Sequence, residues 1–249
     1  MNGSINAVFL TGDSALIREW SELIHSRGIG IVVNATSRQD SGEMPSYCAS
    51  QENPPHNCQA AFELTVLDGR IKEQNIRRLD ESLPPGIPVF TSSVACSTAE
   101  QASWVRHPGR LLGISAFPTL TARELVEIAP SIHTSKKTIS SAEDMFIVLN
   151  KKIAVIQDRV GMVLPRILCS VINEAFFAAM DGIASVEDID SAMKMGAGFP
   201  HGPIEWANSI GLPYVVSVVE AVYRDTGDER YRIAPSLRQL ALGTKWWNG

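Results

Sequence analysis

The fold is decided by residues 158–182, which read DRVGMVLPRILCSVINEAFFAAMDG. After Pro165, a residue that suits the first turn of a helix, apolar side chains recur at intervals of three and four residues as far as Gly182. They are Ile167, Leu168, Val171, Ile172, Ala175, Phe176, Ala179 and Met180. The stretch therefore predicts a long amphipathic helix, and it marks the point where the pattern of the chain changes.

Residues beyond Gly182 carry only helical signals. Ser185, with an acidic residue three positions later, is typical of a helix N-terminus, and Gly196 is placed to end that helix. Three further predicted helices each begin with a proline: Pro203–Ile210, Pro213–Asp225 and Pro235–Leu242. We therefore predict an all-α domain over residues 158–249. Its apolar stripes exceed what one small bundle buries, which predicts a helical surface for a partner.

Upstream of residue 158, short apolar runs alternate with amphipathic stretches. The runs predict strands at Ala7–Leu10, Ile29–Val33, Ala61–Leu67, Pro88–Ser92, Leu111–Ala116 and Ala154–Ile156. The stretches predict helices at Ser14–Arg27, Glu73–Leu83 and Ser140–Asn150. Ala35–Asn57, rich in Ser, Pro, Asn and Gln, predicts a long surface loop. The alternation is typical of an α/β domain with a mostly parallel sheet covered on both faces, here over residues 1–157.

Composition and charge exclude several classes of partner. The 249 residues are 45% hydrophobic, and a net charge of −5 with a pI near 5.6 gives no basic footprint for nucleic acid. No stretch approaches the roughly 20 apolar residues that cross a bilayer, and the N-terminus does not resemble a signal peptide. The cysteines, Cys48, Cys58, Cys96 and Cys169, show no CxxC spacing. We expect a cytoplasmic protein with no metal site and no nucleic-acid or membrane partner.

Five motifs stand out after residue 157: Asp158-Arg-Val-Gly161, Asn173-Glu-Ala175, Ser185-Val-Glu-Asp-Ile-Asp190, Gly196-Ala-Gly-Phe-Pro-His-Gly-Pro203 and Gly243-Thr-Lys245. They resemble the C-terminal domain of the 3-hydroxyacyl-CoA dehydrogenases, and residues 110–128 follow the order of that family's first domain. The resemblance implies a Rossmann-type domain that binds NAD, followed by a helical domain that forms a homodimer. It also implies oxidation of a 3-hydroxyacyl-CoA by a His–Glu pair.

The resemblance places a dinucleotide site in the turn after the first strand, where glycines let the backbone approach a pyrophosphate. Here the turn reads Leu10-Thr-Gly-Asp-Ser-Ala-Leu16, with Gly12 as its only glycine. Asn34 follows the second strand, where a carboxylate usually accepts the ribose hydroxyls. Gly12 and Asn34 are therefore the candidate NAD-binding residues, and Asp13 would place a carboxylate near the phosphates. The alternative is that Gly12 is an ordinary turn residue and that Asp13 or Ser14 caps the helix.

The candidate catalytic residues are Ser115, Glu127 and Ser92. The family's pattern has Gly-x-His and then a glutamate, whereas this chain has Gly113-Ile-Ser115 and, twelve residues on, Glu127. A serine hydroxyl cannot replace imidazole as a base, because its pKa is far above neutral. Ser92 matches a serine of the family's Ser-Asn-Thr-Ser turn, and Ser93 stands at the asparagine of that turn. Pro165 replaces a second asparagine of the family, the one that follows the Asp-x-x-Gly segment. A purely structural role for Glu127 is the alternative.

The family's insertion that helps to cover CoA is also reduced. The matching stretch is the loop Ala35–Asn57, whose only basic residue is Arg38. Three hypotheses follow. The first is a non-catalytic, dimeric binding or regulatory protein with an acyl-CoA or other small-molecule ligand. The second is a divergent NAD-dependent oxidoreductase that acts on a 3-hydroxyacyl-CoA or small hydroxy acid, and the third is a different reaction in the same cleft that uses Glu127 with Ser115.

Overall fold

The computed structural model describes residues 6–36 and 43–243, and within them eight strands form one sheet. They are β1 (Ala7–Gly12), β2 (Gly30–Ala35), β3 (Cys48–Ser50), β4 (Ala60–Leu64), β5 (Val89–Ser92), β6 (Leu111–Ile114), β7 (Leu125–Ala129) and β8 (Lys152–Val155). Their order across the sheet is β3-β2-β1-β4-β5-β6-β7-β8. Every neighbouring pair is parallel except β6 and β7, which run antiparallel. The predicted α/β fold with a mostly parallel sheet is confirmed.

The order of the strands reverses between β1 and β4. From β1 the chain moves outward through β2 to β3, and it then returns to place β4 on the other side of β1. Gly12, the last residue of β1, lies opposite Ala35 in β2 and opposite Leu64 in β4. In open α/β sheets, ligands bind at such a switch point, outside the carboxyl ends of the strands. We refer to the space between the carboxyl ends of β1 and β4 as the switch-point crevice.

The helices of this region are α1 (Ser14–His25), α2 (Gly69–Ser82), α3 (Thr98–Ala102) and α4 (Lys136–Val148). Buried aromatic side chains join two of them to the sheet. The ring centroid of Trp20 in α1 lies 5.3 Å from that of Phe62 in β4, and the ring centroid of Phe146 in α4 lies 6.0 Å from that of Phe90 in β5. Such contacts add to the free energy gained from burial, so they hold the helices in place on the sheet.

Two strands of this region, β3 and β7, are absent from the prediction, as is the short helix α3. The sequence predicts an unbroken loop over Ala35–Asn57, but Cys48–Ser50 pairs with β2 as the edge strand β3. The residues of β3 are half-buried or exposed. The strand forms through main-chain pairing, and no apolar run in the sequence predicts it. The second error is β7, where the sequence predicts no strand although Leu125–Ala129 is largely buried beside β6. Arg38, the predicted basic residue of the loop, lies outside the described residues, as do Thr244 and Lys245 of the last motif.

The chain divides into two compact units, Met1–Met162 and Val163–Gly249. The boundary predicted from the sequence lies five residues earlier, after residue 157. In its described part, the second unit consists of α5 (Leu164–Met180), α6 (Val186–Gly196), α7 (Pro203–Ile210), α8 (Leu212–Thr226) and α9 (Pro235–Leu242), joined by short connections. The predicted all-α C-terminal domain is confirmed. α5 packs against α7, α8 and α9, and the core includes the fully buried Val215 and Val218 of α8. No helix in the described ranges is long and apolar enough to cross a membrane.

Two motif residues of the second unit have structural roles. The Asn173 side chain of α5 donates a hydrogen bond to the Arg232 carbonyl oxygen (3.0 Å) and accepts one from the Ala234 backbone amide (2.8 Å). It thereby fixes the segment that leads into α9. Asp190 of α6 accepts hydrogen bonds from the Ile204 and Glu205 backbone amides of α7, at 2.8 and 3.0 Å. Because these are orphan donors of a helix N-terminus, Asp190 caps α7 from a neighbouring helix.

Candidate functional site

Gly12 forms the turn between β1 and α1, with a φ angle of +132° that residues with side chains rarely adopt. A Cβ atom on it would lie 2.5 Å from the Leu64 carbonyl carbon and from the Thr65 nitrogen. Its carbonyl oxygen accepts a hydrogen bond from the Thr36 backbone amide, 3.1 Å away, beside the end of β2. Glycine is therefore required here by the close approach of three strand ends.

Asp13 follows Gly12 and is only 1% exposed. Its Oδ2 accepts hydrogen bonds from the backbone amides of Val66 (2.8 Å) and Leu67 (3.2 Å), which follow β4. Its Oδ1 is buried and has no hydrogen-bond partner among the described residues. Asp13 occupies the N-cap position of α1, but its side chain makes no capping bond to that helix. The carboxylate therefore bridges the ends of β1 and β4 across the switch-point crevice.

The charges around Asp13 are unbalanced. Burial raises the pKa of the Asp13 carboxyl to about 6, against the lowering effect of the hydrogen bonds from Val66 and Leu67. Glu63 of β4 is fully buried, and its Oε2 lies 2.5 Å from the Nζ of Lys72, which is also buried. Lys72 is thus paired with Glu63. Within the described part of the chain, the Asp13 carboxylate has no ion-pair partner of its own.

Asn34, the predicted ribose-binding residue, lies in β2 and is half-buried. Its side-chain nitrogen donates a hydrogen bond to the Glu52 carbonyl oxygen, 3.0 Å away. Near it, the Asn75 side-chain nitrogen donates to Thr36 Oγ1 (3.0 Å), and Arg78 Nη2 donates to the Asn75 side-chain oxygen (2.9 Å). These polar groups are therefore bonded to one another, and Asn34 has its amide donor engaged by the loop before β4.

Ser115 and Glu127 are brought together by the antiparallel pairing of β6 and β7. The Ser115 backbone amide donates to the Glu127 carbonyl oxygen at 3.0 Å, and the Glu127 backbone amide donates to Ser115 Oγ, also at 3.0 Å. Both residues are buried. The twelve-residue interval thus places the two predicted residues side by side, but the bonds join main chain to main chain and hydroxyl to amide. The Ser115 hydroxyl accepts a hydrogen bond here, and neither of these two bonds involves the Glu127 carboxylate.

Ser92 lies beside this pair at the end of β5. Its hydroxyl donates a hydrogen bond to the Ala116 carbonyl oxygen, 2.8 Å away, so Ser92 holds the residue after Ser115 in place. Ser93 Oγ, at the position where the resemblance expects an asparagine, accepts from the Gln101 side-chain nitrogen (3.0 Å). The structure therefore groups Ser92, Ser115 and Glu127, and each makes a bond that organises the backbone.

Two more motif positions prove to be structural. Both carboxylate oxygens of Asp158 accept hydrogen bonds at the start of α3, from the Thr98 (2.8 Å) and Ala99 (2.7 Å) backbone amides. Pro165 lies in the first turn of α5, as predicted from its missing amide proton. In the described ranges, no group of three or more His, Cys, Asp or Glu side chains is arranged to hold a metal ion.

Sequence reasoning missed the buried charges of the crevice. The sequence assigns no role to Glu63 and Lys72, and for Asp13 it predicts a carboxylate near the phosphates or a helix cap but not the bonds to Val66 and Leu67. One signal was available: Glu63 interrupts the apolar run Ala60–Leu64, and a charge inside a buried strand requires a partner. No comparable signal marks Asp13, because its hydrogen bonds reach residues 53 and 54 positions further along the chain.

Family models match both units. Residues 32–159 match the model described as 3-hydroxyacyl-CoA dehydrogenase, NAD binding domain, and residues 161–245 match the one described as 3-hydroxyacyl-CoA dehydrogenase, C-terminal domain. The chain belongs to the 3-hydroxyacyl-CoA dehydrogenase family. This confirms the family indicated by the motifs at residues 158–203 and by the order of residues 110–128.

Relatives of this 3-hydroxyacyl-CoA dehydrogenase family member include two proteins named 3-hydroxybutyryl-CoA dehydrogenase. The one from Clostridioides difficile is 33% identical over 179 residues, which cover 72% of this chain and 64% of that protein. The one from Bradyrhizobium diazoefficiens is 32% identical over 181 residues, which cover 73% and 62%. Each match thus spans less than two thirds of the relative. The crystal structure of (S)-3-hydroxybutyryl-CoA dehydrogenase PaaH1 from Ralstonia eutropha shares the fold, with a TM-score of 0.79, 22% identity and coverage of 96% and 94%.

The match to an NAD-binding domain makes NAD the cofactor to test against this family member's residues. A dinucleotide crosses the switch point with its pyrophosphate against the N-terminus of the first helix. Here the buried Asp13 carboxylate spans that crevice, and a carboxylate repels phosphate groups. Gly12 packs against the end of β4, and the Asn34 side chain donates a hydrogen bond to the Glu52 carbonyl oxygen. As folded, the residues of the crevice do not fit the pyrophosphate of NAD.

Proposed function

We propose that this member of the 3-hydroxyacyl-CoA dehydrogenase family lacks the standard NAD-dependent dehydrogenase activity and acts as a dimeric binding or regulatory protein. The observation that carries the proposal is at Ser115. The family resemblance assigns a catalytic histidine to this position, and here a serine hydroxyl accepts a hydrogen bond from the Glu127 backbone amide. A hydroxyl in that arrangement cannot remove a proton from a substrate at neutral pH, because it has no imidazole to act as the base.

Two histidines of the first unit, His107 and His25, are engaged elsewhere. His107 Nδ1 lies 3.1 Å from Asp80 Oδ1, and the ring of His25 stacks on Tyr47 with centroids 3.9 Å apart. Ser92 is likewise engaged with the Ala116 carbonyl oxygen. These contacts support the proposal that the fold of the family is kept while the group that transfers the proton is absent.

The second candidate is a divergent NAD-dependent oxidoreductase for a 3-hydroxyacyl-CoA or small hydroxy acid. Two observations favour it: the relatives at 32–33% identity are named as dehydrogenases, and Ser115 and Glu127 lie side by side at the positions of the family's His–Glu pair. If the protein is an oxidoreductase, its ligand is a substrate. If it is a binding or regulatory protein, its ligand is an acyl-CoA or other small molecule that is bound and not turned over. A cytoplasmic location stays a prediction for both.

Enzyme assays separate the two candidates. NADH binding is titrated by fluorescence, and oxidation of 3-hydroxybutyryl-CoA with NAD is followed for the wild-type protein and for Ser115→His, with Ser115→Ala as the matched control. We expect no turnover by the wild type or the alanine variant. Micromolar NADH binding together with turnover in the wild type would overturn the proposal and establish the oxidoreductase.

A further inference from the structure

We propose that Asp13 is the residue that excludes dinucleotides from the switch-point crevice. The proposal rests on the loss of NAD-dependent activity inferred above and assigns the cofactor part of that loss to one side chain. Asp13 bonds the amides of Val66 and Leu67 at 2.8 and 3.2 Å, so its carboxylate closes the space between the two strand ends at which ligands of such sheets bind.

A second aspartate shows that this arrangement is particular to Asp13. Asp68 is also an N-cap, and it accepts hydrogen bonds from the Arg70 (2.8 Å) and Ile71 (3.1 Å) amides of its own helix α2. That is the ordinary use of an aspartate before a helix. Asp13 instead leaves α1 uncapped by its side chain and turns towards the chain that follows β4. The Asp13 side chain thus links the ends of β1 and β4, and α1 has no capping bond from it.

Charge and burial make this closure a barrier to phosphate. The carboxyl groups of Asp13 and Glu63 are both buried, and the Lys72 ammonium is already bonded to Glu63 and to the Thr65 carbonyl oxygen. The three groups carry a net charge of −1 when all are ionised. A phosphate that approached the crevice would meet that charge in a region of low dielectric constant, where repulsion is much stronger than in water.

The other altered positions act differently. Asn34 and Ser115 each replace a side chain that the resemblance expects, so they remove favourable contacts with cofactor or substrate. Asp13 adds an obstacle. Removal of that obstacle therefore has a distinct consequence: a gain of dinucleotide binding without any change at the catalytic position.

The test compares NADH binding by the full chain and by Asp13→Gly and Asp13→Ser, with folding checked by circular dichroism. Glycine removes the side chain altogether, and serine is too short to span the strand ends but is a favoured N-cap that protects α1. We expect no saturable NADH binding by the wild type and saturable binding by both variants, at least about tenfold tighter than the limit set by the wild-type titration. Should Asp13→Gly fail to fold, Asp13→Ser gives the result.

Asp68→Ser is the matched control, because it removes an exposed capping carboxylate close to the same strand end. It should bind NADH no better than the wild type. Folded Asp13 variants with no gain in affinity, or an equal gain in Asp68→Ser, would overturn this proposal and leave the proposed function standing. Micromolar NADH binding by the wild type without turnover would overturn this proposal alone, whereas binding with turnover would overturn both, so the two failures are distinguishable.

Discussion

Two buried carboxyl groups, those of Asp13 and Glu63, lie close enough to influence each other, and only one has a cation. Glu63 is paired with Lys72 at 2.5 Å and accepts a further hydrogen bond from the Thr65 amide at 3.1 Å. Asp13 has only the two backbone amides on one oxygen, and its other oxygen has no partner in the described part of the chain. A buried charge that is incompletely bonded costs free energy, so Asp13 is a stability defect at neutral pH.

This defect predicts a pH dependence of stability. Burial raises the pKa of Asp13 from 3.8 to about 6 in the folded state. The stabilising contribution of the protonated carboxyl is complete below pH 3.8 and is lost as the pH rises through about 6, because the unfolded chain ionises first. The loss amounts to about 2–3 kcal/mol. Asp13→Asn cannot ionise, so its free energy of unfolding relative to the wild type should increase by that amount between about pH 4 and pH 7.

Urea unfolding of both proteins across this pH range measures the difference. Asp68→Asn is the control, since Asp68 is exposed and caps its own helix outside the buried pair of carboxyl groups. A constant difference between Asp13→Asn and the wild type would contradict the raised pKa of Asp13.

At the scale of elements, what could be predicted depended on whether the signal was local. The helices α7 and α9 begin at Pro203 and Pro235 as predicted, because a proline in the first turn acts through its own backbone. The edge strand β3 could not be predicted, since three half-buried or exposed residues form a strand only through pairing with β2, and β7 was missed although it pairs with β6 on one side and with β8 on the other. The predicted proximity of Ser115 and Glu127 rested on a fixed interval in the family's pattern, whereas the hydrogen bonds of Asp13 depend on the folded position of Val66.

The joint between α6 and α7 gives a prediction at this scale. Asp190 accepts hydrogen bonds from the first amides of α7. A Cβ on Gly202 would lie 2.1 Å from the Asp190 carboxyl carbon, so no side chain fits at residue 202 beside Asp190. Asp190→Ala should lower the free energy of unfolding by about 2 kcal/mol or more, because two helix-terminal amides lose a buried acceptor.

Chemical denaturation followed by far-ultraviolet circular dichroism measures this loss. The matched control is Asp188→Ala, two positions earlier in the same helix, where the exposed carboxylate accepts a hydrogen bond only from Ser185 Oγ at 2.7 Å among the bonds described. We expect a loss below about 1 kcal/mol there. Equal losses for the two variants would mean that the Asp190 bonds to α7 contribute nothing to stability.

For the whole molecule, the large apolar side chains left in solvent are informative. In the second unit they include Val163 and Ile167, which are 47% and 58% exposed and four residues apart at the start of α5, and Ile183, which is 74% exposed. Side chains at this spacing lie on one face of a helix. Exposed apolar surface of this kind is typical of a protein interface, which supports the homodimer proposed through the helical unit.

The assembly is tested by light scattering at micromolar concentration. We expect the wild type to have the mass of a dimer and Ile167→Glu to have that of a monomer, because the glutamate would place a charge in the apolar contact. Ile132→Glu is the control, since Ile132 is 93% exposed but belongs to the first unit. Its dimer should persist. A monomeric wild type would exclude the proposed dimer, and dissociation by Ile132→Glu with a stable Ile167→Glu dimer would move the interface to the sheet-containing unit.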